Sequence, residues 1–499
     1  MSYKHGTYGI AAATNNATEV AQGTVPVYVG SAPVHRINSN GSSDFDYSDY
    51  VNKPFLVSSL REAKAMGLYS DDWATYTLCE AIHAHFMNDS KAVAPIILLN
   101  LLNPEADMEE SAGTATVTMK RVGTRFVGYI NDPLCFVDGI ALTISDETGV
   151  EDKTFTYSYD GDRVTIEADV TFASGKENTV AFTASATYAK IAFSAEKFTK
   201  DVVSSAISAL DYCEQITGMI PNIIAAPGIS EIPELHSLLI QAAINKLAGK
   251  WNVCCVSDIP ATVKTYKDAV TWKTENGYDS KYDKVCWPAV AADGKVYHLS
   301  TIVAYMMQNI DTENGDVPYV STSNKEIFCD RAVVGDNETL LISEIDANDL
   351  NQVGITTVNI IKRKMRLWGA HMANYDHAAL SIINIEDRFD VCIRMMMYML
   401  NHLQNQYINE IDQSFTRKDI DGVLNSVQTW LDSLVNDGML LYATVDFNNE
   451  SNSDADIANG DFVFDLQVTY SVIAKSITFK LQYTSAGLSV LTTEEGSDE

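Results

Sequence analysis

Phe462-Val463-Phe464-Asp465-Leu466-Gln467-Val468-Thr469-Tyr470-Ser471-Val472 is the stretch that decides how the chain is read. Phe462, Phe464, Leu466, Val468, Tyr470 and Val472 alternate with Asp465, Gln467, Thr469 and Ser471. That spacing predicts a strand with one buried and one wet face. After a break at Ala474 and Lys475 the alternation resumes, with Ile477, Phe479, Leu481 and Tyr483 set against Thr478, Lys480, Gln482 and Thr484. The two strands are expected to pair, with Ala443 to Phe447 as a third strand joined through the polar run Asn448 to Asn459. The face formed by Phe464, Leu466, Val468, Tyr470, Phe479 and Leu481 is the candidate acceptor sheet. Beyond it, Ser485 to Glu499 holds one short apolar patch, Leu488, Ser489, Val490 and Leu491, and an acidic end. A tail of this kind cannot fold on itself, and a sheet beside it has an edge to cover, from its own chain or from another subunit.

Composition limits what that sheet can serve. With 499 residues, 46% of them hydrophobic, the chain can bury several cores. A formal net charge of -31 argues against nucleic acid and an acidic membrane surface as partners. No apolar run has the length of a membrane span, and Met1 to Ala21 lacks the basic start and apolar core of a signal peptide. The eight cysteines, Cys79, Cys135, Cys213, Cys254, Cys255, Cys286, Cys329 and Cys392, show no CxxC spacing. Buried, reduced thiols are expected.

Upstream, the pattern changes several times. Met1 to Gln22 is rich in Gly, Ala, Thr and Asn with Tyr8, Ile10 and Val20 as isolated apolar points, and reads either as a loose terminus or as an arm, centred on Tyr8, Gly9 and Ile10, ordered on a neighbour's sheet. Thr24 to Gly30, Phe55 to Ser58, Ala94 to Leu102, Ile220 to Ala226, Asn252 to Val256 and Lys284 to Val290 read as strands. Helices fall between them at 60–67, 73–87, 201–217, 234–250, from 261, and at 300–310. Such alternation predicts a mainly parallel sheet with helices on both faces, drawn from residues 22–112 and 191–370. Between those pieces, 113–190 reads as an inserted β-rich domain, a sandwich or a small barrel. Phe389 to Ile411 and a second helix from Thr416, with Asp419 completing a capping box, then pack on the strands to make an α+β domain over 371–484. Residues 1–21 and 485–499 are the extended arms.

A search for chemistry leaves little. There is no GxGxxG, GxxxxGK[ST] or GxSxG, so neither a phosphate cradle nor a nucleophile elbow is expected. Pro227 to Glu231 is the nearest thing to an active-site loop and reads better as a turn before a helix. His83 and His85 point apart on a helix, and His371 and His377 lack ligand partners. Asn452, Asp454 and Asp456 copy calcium-loop spacing without its glycine, so a polar hairpin is expected. No cofactor, metal or catalytic group is assigned. Lys362, Arg363, Lys364 and Arg366 form a basic knot, with Arg417 and Lys418 as a smaller one, which can hold a neighbour or an acidic partner.

Several stretches together resemble the contractile tail sheath family of phage tails, R-type bacteriocins and related injection machines. They are Thr24 to Gly30 followed by Ser31-Ala32-Pro33-Val34-His35, Ile223 to Gly228, Cys286-Trp287-Pro288, Val317 to Lys325, Leu350 to Ile355, Trp368-Gly369-Ala370 and Gly460 to Tyr483, in the order the family shows. The resemblance covers about 20–110 and 200–484 and leaves the insertion out. It implies a non-enzymatic subunit stacked helically in rings around an inner tube, contracting to drive that tube through an envelope. It also implies terminal arms exchanged between copies, and contacts with tube, baseplate and tail terminator proteins. Assembly would take place in a host bacterial cytoplasm, into a virion tail or a released tail-like particle. A baseplate or surface adhesin subunit is the alternative, and an α/β enzyme comes after it.

Overall fold

In chain order the strands are β1 (Pro26–Gly30), β2 (Pro54–Val57), β3 (Ile96–Asn100), β4 (Met108–Val122), β5 (Arg125–Ile130), β6 (Cys135–Ile144), β7 (Val150–Asp160), β8 (Arg163–Phe172) and β9 (Ala181–Ile191). There follow β10 (Ile223–Ala225), β11 (Cys254–Asp258), β12 (Asp283–Cys286), β13 (Ala289–Ala292), β14 (Lys295–Tyr297), β15 (Arg331–Val334), β16 (Glu338–Leu340), β17 (Ile355–Ile361), β18 (Lys364–Trp368), β19 (Leu440–Asp446) and β20 (Asp465–Tyr470). The structure is a computed structural model and describes residues 23–37, 45–88, 90–145 and 148–491.

The body is an eight-stranded sheet in the order β18-β17-β12-β11-β10-β1-β3-β2, parallel from β17 through β3 and antiparallel at both ends. Every residue of β1, β3, β10, β11 and β12 is buried, as strands covered by helices on both faces must be. The helix Leu299–Glu313 is buried from Leu299 to Asp311 and packs across the sheet. Where the helices end differently from their apolar pattern, the backbone explains it. The helix expected over 234–250 spans Pro233–Asn245, because Lys246 and Ala248 adopt φ of 63° and 51° and turn Leu247 back to Trp251. The strand expected over 284–290 divides at Trp287-Pro288, a proline being unable to donate to a ladder. Its second half joins a four-stranded antiparallel sheet, β14-β13-β15-β16, not expected from the sequence.

Strands β4–β9 form one antiparallel six-stranded sheet, in the order β6-β9-β4-β5-β8-β7. It is neither a two-sheet sandwich nor a fully hydrogen-bonded barrel. It curls around its own apolar cluster until Val137 N–H on β6 donates to the Tyr159 hydroxyl on β7 at 2.9 Å. It joins the body through Phe136, Ala189 and Ile191, which pack into the body's core, and through a partly buried polar contact. Arg36 donates to Asp162 at 2.9 Å and to the Pro133 carbonyl at 2.7 Å, while Asp162 also accepts from the Asp71 N–H at 2.8 Å.

The last third carries the helices Asp390–Gln406 and Arg417–Asn436, the latter opened by the Thr416–Asp419 capping box and closed where Gly438 takes φ 74°. Ile411 lies beyond the first helix and is exposed. Met395, Met399, Val427, Leu431 and Leu434 bury one side of the antiparallel pair β19–β20, against Leu440 and Ala443. Lys284, wholly buried in β12, ties this part to the body through Asp390 at 2.7 Å and the Gly369 carbonyl at 3.1 Å.

Candidate assembly surface

Ligands of open α/β sheets bind at the carboxyl ends of the strands, near the point where strand order reverses. Here that point lies between β1 and β10, and it is filled by charge. His298 donates from Nδ1 to Glu80 at 2.7 Å and faces Glu231 at 3.4 Å. Burial opposes its proton, but Glu80 and Glu231 outweigh burial and hold the imidazolium, well above the usual range. Asp258, buried beside it, is pushed up to about 7 by desolvation and accepts from the Ser300 N–H at 2.9 Å, at the start of a helix. One imidazolium is thus shared between two carboxylates. Among the described residues no His/Cys/Asp/Glu group could hold a metal ion. Ser257, Asp283 and His236 bring together nucleophile, acid and base types, but Asp283 bridges the other two, at 2.9 Å and 2.8 Å, so the imidazole is held on the carboxylate and not on the hydroxyl. A cavity of about 580 Å³ opens at the amino ends of the strands, between Ile223, Cys254, Arg394, Tyr398, His402 and Trp430. Its one cation, Arg394, is committed to Asp311.

The remaining candidates are accounted for by packing. His83 meets the Tyr297 hydroxyl and His85 meets Tyr28, each at 2.7 Å, and burial lowers His85 to about 4. His371 stacks on Tyr375 and is lowered to about 4 by burial. The eight cysteines are free and buried, and desolvation raises thiols such as Cys254 and Cys392 to about 11. Asp454–Asn459 is a short helix capped by Ser453 and Asp456, not a hairpin, so Asp456 is spent on its own backbone.

The C-terminal strands stand differently. Phe464, Leu466, Val468 and Tyr470 are half-buried while Gln467 and Thr469 are exposed, as the alternation requires. The partner of β20 is β19, however, and not the stretch 477–484. That stretch is no strand: Ile477, Phe479, Leu481 and Tyr483 are 72, 91, 101 and 81% exposed. Phe479 and Leu481 therefore do not belong to the folded face of the sheet. The segment leaves β20 through Ser471, whose hydroxyl donates to the Gly438 carbonyl at 2.8 Å, and Lys475, which donates to the Tyr375 hydroxyl at 3.1 Å. From 476 to 483 no hydrogen bond returns to the body among the described residues. The tail then forms a 3-10 helix, Ala486–Leu491, in place of the expected extended arm, because an isolated strand has no ladder to join and a local i to i+3 turn is what remains. Leu488 and Leu491 on it are exposed, Ser489 and Val490 lie within it, and Tyr8, Gly9 and Ile10 lie outside the described residues.

Lys362 and Arg363, with φ of 54° and 67°, are the two turn residues of the β17–β18 hairpin, a tight turn that the charge pattern did not reveal. Lys364 pairs with Glu326, and Arg366 donates to the Asn324 carbonyl at 2.8 Å. Arg417 pairs with Asp421 at 2.9 Å, and Lys418 follows it in the exposed first turn of the same helix. The structure does not bring the two basic groups into contact with each other.

No family model matches the sequence, and no curated protein matches it. Among solved structures, a chain of the anti-feeding prophage (AFP) baseplate, seen by cryo-EM with 6-fold symmetry, has a TM-score of 0.54 at 10% identity, covering 97% of this chain and 100% of that one. A sheath tail protein from Listeria innocua gives 0.46 at 11% identity over 90% of this chain and 95% of its own. A chain of the PVC sheath complex in its contracted state gives 0.44 at 16% identity over 57% and 81%. At these identities the likeness is one of fold, and only the first score exceeds 0.5. This chain thus shares the fold of a chain of that baseplate over nearly its whole length.

Proposed function

We propose that this chain is a structural, non-enzymatic subunit of a contractile tail sheath, polymerising helically around an inner tube and shortening to drive the tube through a target envelope. One observation carries the reading: the amphipathic stretch 476–484 is uncovered and belongs to no strand, beside a two-stranded sheet whose β20 edge carries no further strand among the described residues. Such a segment gains its ladder only from another chain, and a two-stranded sheet is marginal until it is extended. Because β20 already turns Leu466, Val468 and Tyr470 onto its own helices, the neighbour's strand adds by main-chain pairing at the edge, with Leu488 to Leu491 and Tyr8 to Ile10 as the exchanged ends. Identical subunits linked head to tail without closure make filaments. With no phosphate-cradle motif in the sequence, the work of contraction is stored in the metastable assembled state. Tube, baseplate and terminator proteins are the further partners, met during assembly in the host cytoplasm.

A baseplate subunit is the second reading, favoured by the origin of the similar chain. Electron microscopy of the purified protein separates the two: long striated hollow cylinders support the sheath, and closed rings or monomers contradict it.

A further inference from the structure

The surface carries two regions of opposite charge that do not meet within one subunit. The first is the β17–β18 hairpin, where residues 362–366 include four basic side chains. Lys364 and Arg366 are held on the hairpin by Glu326 and Asn324, but Lys362 and Arg363, at the tip, are exposed and have no hydrogen-bond or ion-pair partner among the described residues. Ile360, on the strand leading to the tip, is 54% exposed. A two-residue turn joining paired strands is stiff, so the cations project at little further cost in order.

The second region lies between β19 and β20. From Asp419 to Ala474 the chain holds ten carboxylates and no Lys, Arg or His. Their centre is the loop 447–464, which is firmly built. Asn452, 2% exposed, donates to the Asn448 and Val463 carbonyls at 2.9 Å and 2.8 Å and accepts from the Val463 N–H at 2.8 Å. Glu450 and Asp454 stand exposed on this frame, and their carboxylates have no partner among the described residues. Ile457, 37% exposed, lies on the short helix between them and β20. Each region thus has an apolar point beside free charges, the arrangement of a small interface with a polar rim.

We infer that the Lys362-Arg363 hairpin tip of one subunit docks on the Glu450–Asp454 loop of a second copy, the two surfaces forming a heterologous contact. Charge complementarity selects this occupant. A chain of net charge -31 repels its own copies over most of its surface, and the basic tip and the base-free loop are where that repulsion is reversed. Because the surfaces differ, each copy can use its tip on one neighbour and its loop on another, which propagates without closing. The inference rests on the helical assembly proposed above and names a contact within it.

Two double variants of the full chain test it, Lys362→Glu with Arg363→Glu and Glu450→Lys with Asp454→Lys, each checked by circular dichroism for a native fold. At low salt each alone should assemble roughly tenfold or more slowly than wild type, as lost electrostatic steering predicts. Mixed in equal amounts they should assemble together, since each tip again meets a loop of opposite sign. Wild-type rates for both variants alone overturn the inference while leaving wild-type cylinders, and so the sheath reading, in place. A mixture as slow as its components, with both folds intact, overturns it also and points to the tube as the partner of the tip. If a double variant does not fold, Lys362→Gln with Arg363→Gln takes its place, and unchanged salt dependence in that variant contradicts the contact. A wild-type chain that stays monomeric under all conditions overturns both the contact and the sheath.

Discussion

The strand Ile96–Asn100 and the stretch 476–484 are both short and rich in apolar residues, yet one is wholly buried and the other almost wholly bare. Ile96–Asn100 lies between Pro26–Gly30 and Pro54–Val57, with helices above and below, so its polar backbone is paired and its side chains are removed from water. Ile477, Phe479, Leu481 and Tyr483 have the stricter alternation and none of the cover. Burying a large apolar side chain is worth about 1.5–3 kcal/mol, so four left in water are a sizeable driving force that the subunit alone does not use. A strand pattern therefore specifies a strand only where a chain offers the edge, and the edge can belong to another molecule.

The strongest way to break this comparison is to remove the uncovered stretch. Deleting Ser476–Glu499 should abolish polymerisation while leaving the thermal midpoint of the monomer within a few degrees, as sedimentation and circular dichroism will show. Next in size, Lys284→Met strands the buried Asp390 carboxylate and should lower stability by about 3–5 kcal/mol in urea titrations. Leu98→Ala, in the covered strand, should cost about 2–5 kcal/mol, largely through the cavity it leaves. A comparable term is set by pH. His85, buried against Tyr28, is held neutral down to about 4, whereas the unfolded chain takes up its proton near 6.5. Its contribution is present above about 6.5 and is lost as pH falls toward 4, by roughly 3 kcal/mol over that window. His85→Gln should remove that component and flatten the acid limb of the stability curve. The smallest effect belongs to Phe479→Ala, which should change monomer stability by less than about 0.5 kcal/mol while slowing assembly.

Much of this architecture is legible from residue patterns because burial on both faces leaves long apolar runs, as at Ala94 to Leu102, and because caps such as Thr416–Asp419 act locally. The sheet formed by β13–β16 is not legible, since strands of three or four residues are too short to show a period. Pairing is a different matter. The alternation in Phe462 to Val472 identifies the strand, but Leu440–Asp446 and 477–484 both fit its edge, and the choice falls to the segment that the helix Arg417–Asn436 delivers beside it through Gly438. The basic knot was visible as charge and hidden as structure: Lys362 and Arg363 occupy turn positions that glycine or asparagine would have announced.

Hydrogen exchange across residues 476–484, compared between the monomer and the polymer, tests the central claim most directly. If this segment finds its ladder only on a second chain, its amides exchange in the monomer at nearly the rate of an unstructured peptide and become strongly protected on assembly, while Ile96–Asn100 is protected in both. Equal exchange of 476–484 in the two states, or protection already present in the monomer, would contradict it.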